Sequence, residues 1–177
     1  MGQDKTEVRF ESETLLERAV SIVRPLSDRV LIVGKDVGPR LIDGVETSVD
    51  DHADVGPLGG IATALRLARP HPCLIIPCDM PMLGADLLSG LIRSHGRDVD
   101  CTLLVNPDTG RIEPLVGVYA SSCLDAMSAS IAAGRLAIWR TLAELTVRHV
   151  PVPAAQADQL VNLNTPNDVS GLEQLGT

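Results

Sequence analysis

The stretch LIIPCDMP (Leu74–Pro81) decides which fold we expect for this chain. A short apolar run bounded by Pro72 and Pro77 is too short for a helix and is typical of a buried strand in a parallel sheet. Asp79 follows just past the carboxyl end of that strand. In doubly wound α/β folds ligands bind at that edge, and a carboxylate there suits a divalent cation that carries phosphates. Asp79 as a cap of the following turn is the alternative, and both interpretations stay open on this stretch alone.

Length and composition indicate one globular domain that spans residues 1–177. The chain is 45% hydrophobic and 21% charged, which is typical of a soluble protein with a real core. A net charge of −8 argues against nucleic acid and anionic membranes as partners, because both require a basic surface. The four cysteines form no CxxC pair, so we expect reduced thiols. Without an apolar run of membrane-spanning length or a secretory pattern, we expect a cytoplasmic protein.

Strand and helix patterns alternate along the chain. Together they predict a three-layer α/β sandwich with a mostly parallel, Rossmann-like sheet. Turn-forming residues at Asn106–Gly110 separate two strands and predict an antiparallel addition to the sheet. The predicted strands are 29–33, 45–49, 73–76, 101–105, 113–119 and 147–152. One predicted helix begins at the Thr14 capping box, and the others span 61–69, 86–94, 124–133 and 135–145.

Two further stretches have ligand-binding chemistry. The loop that begins at Asp50 continues into Gly56–Gly60 at a helix entrance, where glycines allow close backbone approach and the first N–H groups attract anions. An ordinary connecting turn would have the same composition. Near the end of the chain, Asn162 and Asn164 alternate with apolar residues, so both amides point to one side of an extended segment. They suit a phosphate, a sugar or a metal-bound water, or they are turn residues that satisfy the backbone.

Six motifs follow one another along the chain: Met1–Lys5, Asp50, Gly56-Pro57-Leu58 with Gly60, Cys78–Pro81, Glu113–Leu115 with Tyr119, and Asn162–Pro166. In this order they resemble the molybdenum cofactor guanylyltransferase family over nearly the whole chain. The resemblance implies a fold like that of the nucleotide-diphospho-sugar transferases. It also implies transfer of GMP from GTP to the terminal phosphate of molybdenum-bound molybdopterin, with Mg2+ and release of pyrophosphate. Molybdoenzymes or their chaperones are further candidate partners.

The same resemblance implies a role for each matching residue. Lys5 and Asp79 are expected to be catalytic, with Lys5 as a cation over the triphosphate and Asp79 as the Mg2+ ligand. Asp50 is a candidate for the guanine edge, whose two adjacent N–H donors suit a carboxylate. The nucleotide-binding set is Lys5, Asp50, Gly56 and Asp79, and the substrate-binding set is Gly60, Asn162 and Asn164.

The chain departs from the family pattern at its beginning. Family members carry a strand and a glycine-rich Leu-Ala-Gly-Gly-x-Ser-x-Arg loop before the position that matches Met1. We therefore expect either that Met1 is internal to a longer protein or that turnover of GTP is weak. Two alternatives to guanylyl transfer stay open. One is a cytidylyltransferase for molybdopterin or another phosphorylated substrate, and the other is a truncated, non-catalytic homologue that binds pterin or a partner molybdoenzyme.

Overall fold

Strands and helices alternate in the computed structural model, which describes residues 9–10, 12–34, 42–52 and 54–163. The described strands are β1 (Arg9–Phe10), β2 (Glu13–Thr14), β3 (Val30–Gly34), β4 (Val45–Val49), β5 (Cys73–Ile75), β6 (Cys101–Val105), β7 (Ile112–Tyr119) and β8 (Val147–Pro151). The described helices are α1 (Leu15–Val23), α2 (Pro57–Ala68), α3 (Ala85–Ser94), α4 (Cys123–Ala132) and α5 (Ile138–Leu142), with short 3-10 segments at Arg24–Leu26 and Ala154–Leu160.

Four strands form one sheet in the order β5-β7-β6-β8, and β3 pairs with β4 in a separate parallel pair. Strand β8 runs parallel to β6, whereas β7 runs antiparallel to both of its neighbours. The predicted antiparallel addition is confirmed. Within the described residues, however, β5 pairs antiparallel with β7, although its apolar run predicted a parallel strand. A continuous apolar run indicates that a strand is buried on both faces. Whether its neighbour runs parallel or antiparallel depends on how the chain connects the two strands.

The core lies on both faces of the four-stranded sheet. Leu103 belongs to the cluster under α2 and α4, and the next residue, Leu104, belongs to the cluster under α3. Successive side chains of a strand point to opposite faces, so β6 is buried on both sides by helices. This arrangement gives the predicted three layers.

A bulge in β7 displaces its first half. Gly117 pairs with Leu103, but Glu113 already pairs with Leu104, so residues 114–116 have no counterpart on β6. A Cβ on Gly117 would lie 2.3 Å from Leu103 Cδ2 and 3.1 Å from the Thr102 carbonyl, so the buried Leu103 side chain would have to shift to admit it. The Tyr119 hydroxyl donates to the Pro114 carbonyl at 2.5 Å and holds the bulge. Because β5 pairs only with residues 117–119 of β7, the bulged half extends beyond the carboxyl end of β5.

Local signals predicted some helix boundaries well and others poorly. The capping box between Thr14 and Glu17 is present and begins α1. Helix α2 begins at Pro57, earlier than the predicted residue 61, because Gly56 supplies the helix cap at a φ of 72°. The predicted helix 135–145 is wrong in extent: only Ile138–Leu142 is helical, and Ala137 before it is extended. The predicted helix start after Asn164 lies outside the described residues.

Candidate active site

Asp79 and Asn162, two of the predicted site residues, line one cleft. Asp79 follows β5, and the Leu163 backbone N–H donates to its carbonyl at 2.8 Å, which ties the loop after β5 to the segment that carries Asn162. The cleft measures about 280 Å³. Among the described residues its walls are formed by Pro57, Asp79, Met80, Arg111, Ile112, Glu113, Pro114, Leu115, Ile138, Trp139 and Asn162.

The loop after β5 with Asp79 and the segment with Asn162 form one wall of the cleft, and the bulged half of β7 forms the second. Glu113 and Leu115 are half-buried there, whereas Arg111 is exposed. Partial burial raises the pKa of the Glu113 carboxyl, and the charge of Arg111 acts in the opposite direction. This wall therefore places an acidic group and a guanidinium beside an apolar surface.

Helix α5 forms the third wall. Ile138 packs against the core and Leu142 is buried in it, so both anchor this short helix. Trp139 lies between these anchors in the chain, and the residue is 47% exposed and lines the cleft. An exposed indole beside a carboxylate is suited to a planar ligand.

Asp50 follows β4 and is not among the cleft-lining residues. Its Oδ1 accepts from the His52 N–H at 2.8 Å and from the Thr63 hydroxyl at 3.0 Å. Thr63 is buried in α2 and also accepts from the Asp51 N–H at 3.1 Å. One carboxylate oxygen of Asp50 is thus held by the loop and by α2, and the other, Oδ2, lies toward Gly59 and Gly60.

The three glycines at the start of α2 differ in their structural requirements. Gly56 has φ 72° and ψ −156°, which L-residues rarely adopt. A Cβ on Gly59 would lie 2.7 Å from Val55 Cγ2 and 2.8 Å from the His52 carbonyl, so packing requires glycine there. Among the described residues, a Cβ on Gly60 would meet only Asp50 Oδ2, at 3.9 Å, so packing within this part of the chain leaves room for a side chain at position 60.

Lys5 and Asn164 lie outside the described residues. Two residues were not singled out from the sequence: Thr63, which holds Asp50, and Trp139. Gly59 belongs to the predicted glycine stretch Gly56–Gly60 but was given no role of its own. Trp139 had a signal as the single tryptophan of the chain. A buried threonine inside a helix has no local pattern that identifies its hydrogen-bond partner.

The described part of the chain contains no group of three or more His, Cys, Asp and Glu residues able to hold a metal ion. A carboxylate from Asp79 and an amide from Asn162 are hard oxygen donors, and Mg2+ keeps several waters and binds few protein groups when substrate phosphates are present. The donor set therefore fits Mg2+ carried with a nucleotide.

Within the same described ranges, no helix has the length and apolar content needed to cross a membrane.

Comparison with known proteins assigns the class. Residues 1–151 match the model of the MobA-like NTP transferase domain, so the chain belongs to this family of nucleotidyltransferases. It is 31% identical to the probable molybdenum cofactor guanylyltransferase of Chloroflexus aggregans over 99% of this chain and 89% of the relative. The chain is accordingly a member of the molybdenum cofactor guanylyltransferases.

Solved structures agree with this assignment. The Archaeoglobus fulgidus molybdopterin-guanine dinucleotide biosynthesis protein A superposes with a TM-score of 0.83 at 26% identity and covers 99% of this chain and 91% of its own. The Thermus thermophilus 2-C-methyl-D-erythritol 4-phosphate cytidylyltransferase superposes with a TM-score of 0.72 at 16% identity, over 97% of this chain and 93% of its own. The second similarity concerns the fold alone, and the predicted α/β fold class is confirmed.

Proposed function

We propose that the protein transfers GMP from GTP to the terminal phosphate of molybdenum-bound molybdopterin and releases pyrophosphate. The observation that carries this proposal is the cleft at the carboxyl end of β5, where Asp79 and Asn162 share one wall and Glu113 and Trp139 form the others. A cleft of about 280 Å³ with a carboxylate, an amide and an aromatic surface suits phosphates joined to a planar ring. The names of the full-length relatives supply the substrate class.

The reaction requires alignment and charge neutralisation more than covalent help. An oxygen of the acceptor phosphate attacks the α-phosphorus of GTP, the bond from that phosphorus to the bridging oxygen breaks, and the electron pair leaves with pyrophosphate. The attacking phosphate is already ionised, so no general base is needed. When bound at Asp79, Mg2+ neutralises charge that develops on the phosphate oxygens. Asp79 and Asn162 position this end of the substrates.

At the nucleotide end we assign the roles implied by the resemblance. Asp50 Oδ2 accepts from the guanine edge while Oδ1 stays bonded to His52 and Thr63. Gly56 lets the start of α2 approach the nucleotide and Gly60 lets it approach the acceptor substrate; the room beside Gly60 among the described residues supports the second assignment. Lys5 contacts the triphosphate and Asn164 joins Asn162 on the phosphate side, as proposals for residues outside the described ranges.

Pyrophosphate release tests the proposal directly. We expect release from GTP, but not from CTP, when Mg2+ and molybdenum-loaded molybdopterin are both present. Asp79→Asn should lower kcat/KM by about 100-fold or more, because it removes the charge that holds the cation. Asp86→Asn is the matched control: Asp86 is exposed in the first turn of α3, and its loss changes the net charge equally.

Three results would oppose the proposal. Preference for CTP would assign the protein to cytidylyl transfer. Binding of pterin without turnover of either nucleotide would support a non-catalytic role. Equal activity of Asp79→Asn and Asp86→Asn would remove Asp79 from the site.

A further inference from the structure

We propose that Trp139 and Glu113 bind the pterin ring of the acceptor: the ring stacks on the indole, and its two adjacent N–H donors are accepted by the Glu113 carboxylate. This inference rests on the proposed function, because it specifies where the acceptor lies in the same cleft. It assigns substrate contacts to two residues that none of the roles above includes.

Trp139 is placed for contact with a ligand rather than for packing. Its neighbour Ile138 packs against the core and Leu142 is buried in it, while Trp139 stays 47% exposed in the cleft wall. A large aromatic side chain in water contributes little to folding, and aromatic side chains are common in the lining of ligand pockets. Planar heterocycles stack on indole with substantial affinity, whichever heteroatoms they carry.

Glu113 adds recognition of one ring edge. The bulge and the Tyr119 hydrogen bond to Pro114 hold residues 113–115 beyond the end of β5, in the same cleft as Trp139. The pyrimidine half of a pterin carries a ring N–H beside an exocyclic amino group, and a carboxylate accepts from both. Glu113 is half-buried, so such hydrogen bonds are shielded from water and strengthened.

The topology separates this subsite from the nucleotide end. Asp50 follows β4, in the separate two-stranded sheet, and its Oδ2 faces the start of α2. Glu113 lies on β7, which pairs with β5, and Asp79 follows β5. Helix α2 contacts both β3 and β5 and connects the two ends. The two substrates meet at their phosphates, so with guanine assigned to Asp50 the ring at Glu113 is assigned to the acceptor.

Fluorescence of the single tryptophan tests ring contact without turnover. Trp139 alone contributes indole emission, so we titrate the protein with hydroxymethylpterin and with hydroxymethyllumazine, which has a carbonyl in place of the amino group. N-acetyltryptophanamide at matched absorbance corrects for inner filtering. We expect saturable quenching by the pterin and at least about fivefold weaker binding of the lumazine, because one hydrogen bond to a charged acceptor is lost. Glu113→Gln should abolish that preference.

Steady-state kinetics test the same contact during turnover. Trp139→Leu should raise the KM of molybdenum-loaded molybdopterin about tenfold and leave the KM of GTP within about twofold, from the usual contribution of aromatic stacking. Trp139→Phe retains a ring and should recover most of the affinity. Leu136→Ala is the control, because Leu136 is 41% exposed just before α5 and does not line the cleft.

The possible results separate the two proposals. Quenching with the expected preference, but no pyrophosphate from any variant, would support the ring subsite and reject the proposed reaction. Guanosine quenching stronger than that of the pterin, or a rise in the KM of GTP alone, would place guanine at Trp139 and overturn the inference. An unchanged acceptor KM in Trp139→Leu, with a changed sedimentation coefficient, would make this surface a protein interface and overturn it too.

Discussion

Replacement of Thr63 by Val tests the hydrogen bonds that hold Asp50. The Thr63 hydroxyl donates to Asp50 Oδ1 at 3.0 Å and accepts from the Asp51 N–H at 3.1 Å, and the residue is only 1% exposed. Valine has nearly the same shape, so the substitution leaves no cavity and removes only the hydroxyl. Asp50 Oδ1 then keeps one of its two described donors, the His52 N–H.

The expected destabilisation follows from the two bonds lost. A hydrogen bond to a charged group contributes about 1.5–3 kcal/mol, and one between neutral groups about 0.5–1.5 kcal/mol. Asp51 is exposed, so water replaces part of the second bond. We expect Thr63→Val to lower the free energy of unfolding by about 2–4 kcal/mol. With a urea m-value of about 2 kcal/mol/M, the midpoint falls by about 1–2 M.

Thr141→Val is the matched control for this measurement. Thr141 is fully buried, and its Oγ1 has no hydrogen-bond partner among the described residues. The same substitution there removes a desolvated hydroxyl without breaking a described bond, so stability should stay equal or rise. Thr63→Ser keeps the hydroxyl and should cost only about 1 kcal/mol for the lost methyl group.

Urea unfolding followed by circular dichroism, together with the KM of GTP, provides the readout. If Asp50 contacts the nucleotide, Thr63→Val should also raise the KM of GTP under conditions where the protein stays folded. Equal destabilisation by Thr63→Val and Thr141→Val would refute the reasoning, because the effect would then come from the valine and not from the hydrogen bonds.

Two further predictions use the start of α2 and a histidine at the end of α3. Gly56→Ala should cost about 1–3 kcal/mol, since its φ of 72° strains any side chain, whereas Gly60→Ala should stabilise α2 by about 0.5–1 kcal/mol and yet lower activity if a ligand approaches there. Urea midpoints and pyrophosphate release separate the two effects, and an unaltered turnover in Gly60→Ala would argue against ligand approach. Desolvation first, and then Arg148, lowers the pKa of His95, with Asp98 opposing. The unfolded state therefore takes up the proton first, so this contribution to stability is present above about pH 6.5 and lost as the pH falls below it. His95→Gln should flatten the slope of the urea midpoint between about pH 8 and 5.5, and an exposed control, His71→Gln, should not.

Only part of the candidate site was predictable from the sequence. Asp79 and Asn162 were predicted from strand ends and amide alternation, and they line one cleft. The assignment of Asp50 as a base-binding residue stays a prediction, and the structure adds that its Oδ1 is bonded to Thr63. Trp139 joins the cleft from a distant part of the chain. Its position depends on where α5 packs, which no local pattern encodes.

The sequence by itself determined the features that neighbouring residues control. Hydrophobic periodicity identified β4 and β6 with their observed bounds, and the capping box at Thr14 identified the start of α1. Tertiary structure alone decided the direction of β5 against its described partner, the bulge in β7 and the length of α5. The physical reason is that strand order and bulges arise from contacts between residues far apart in the chain, whereas caps and periodic faces arise within one or two turns.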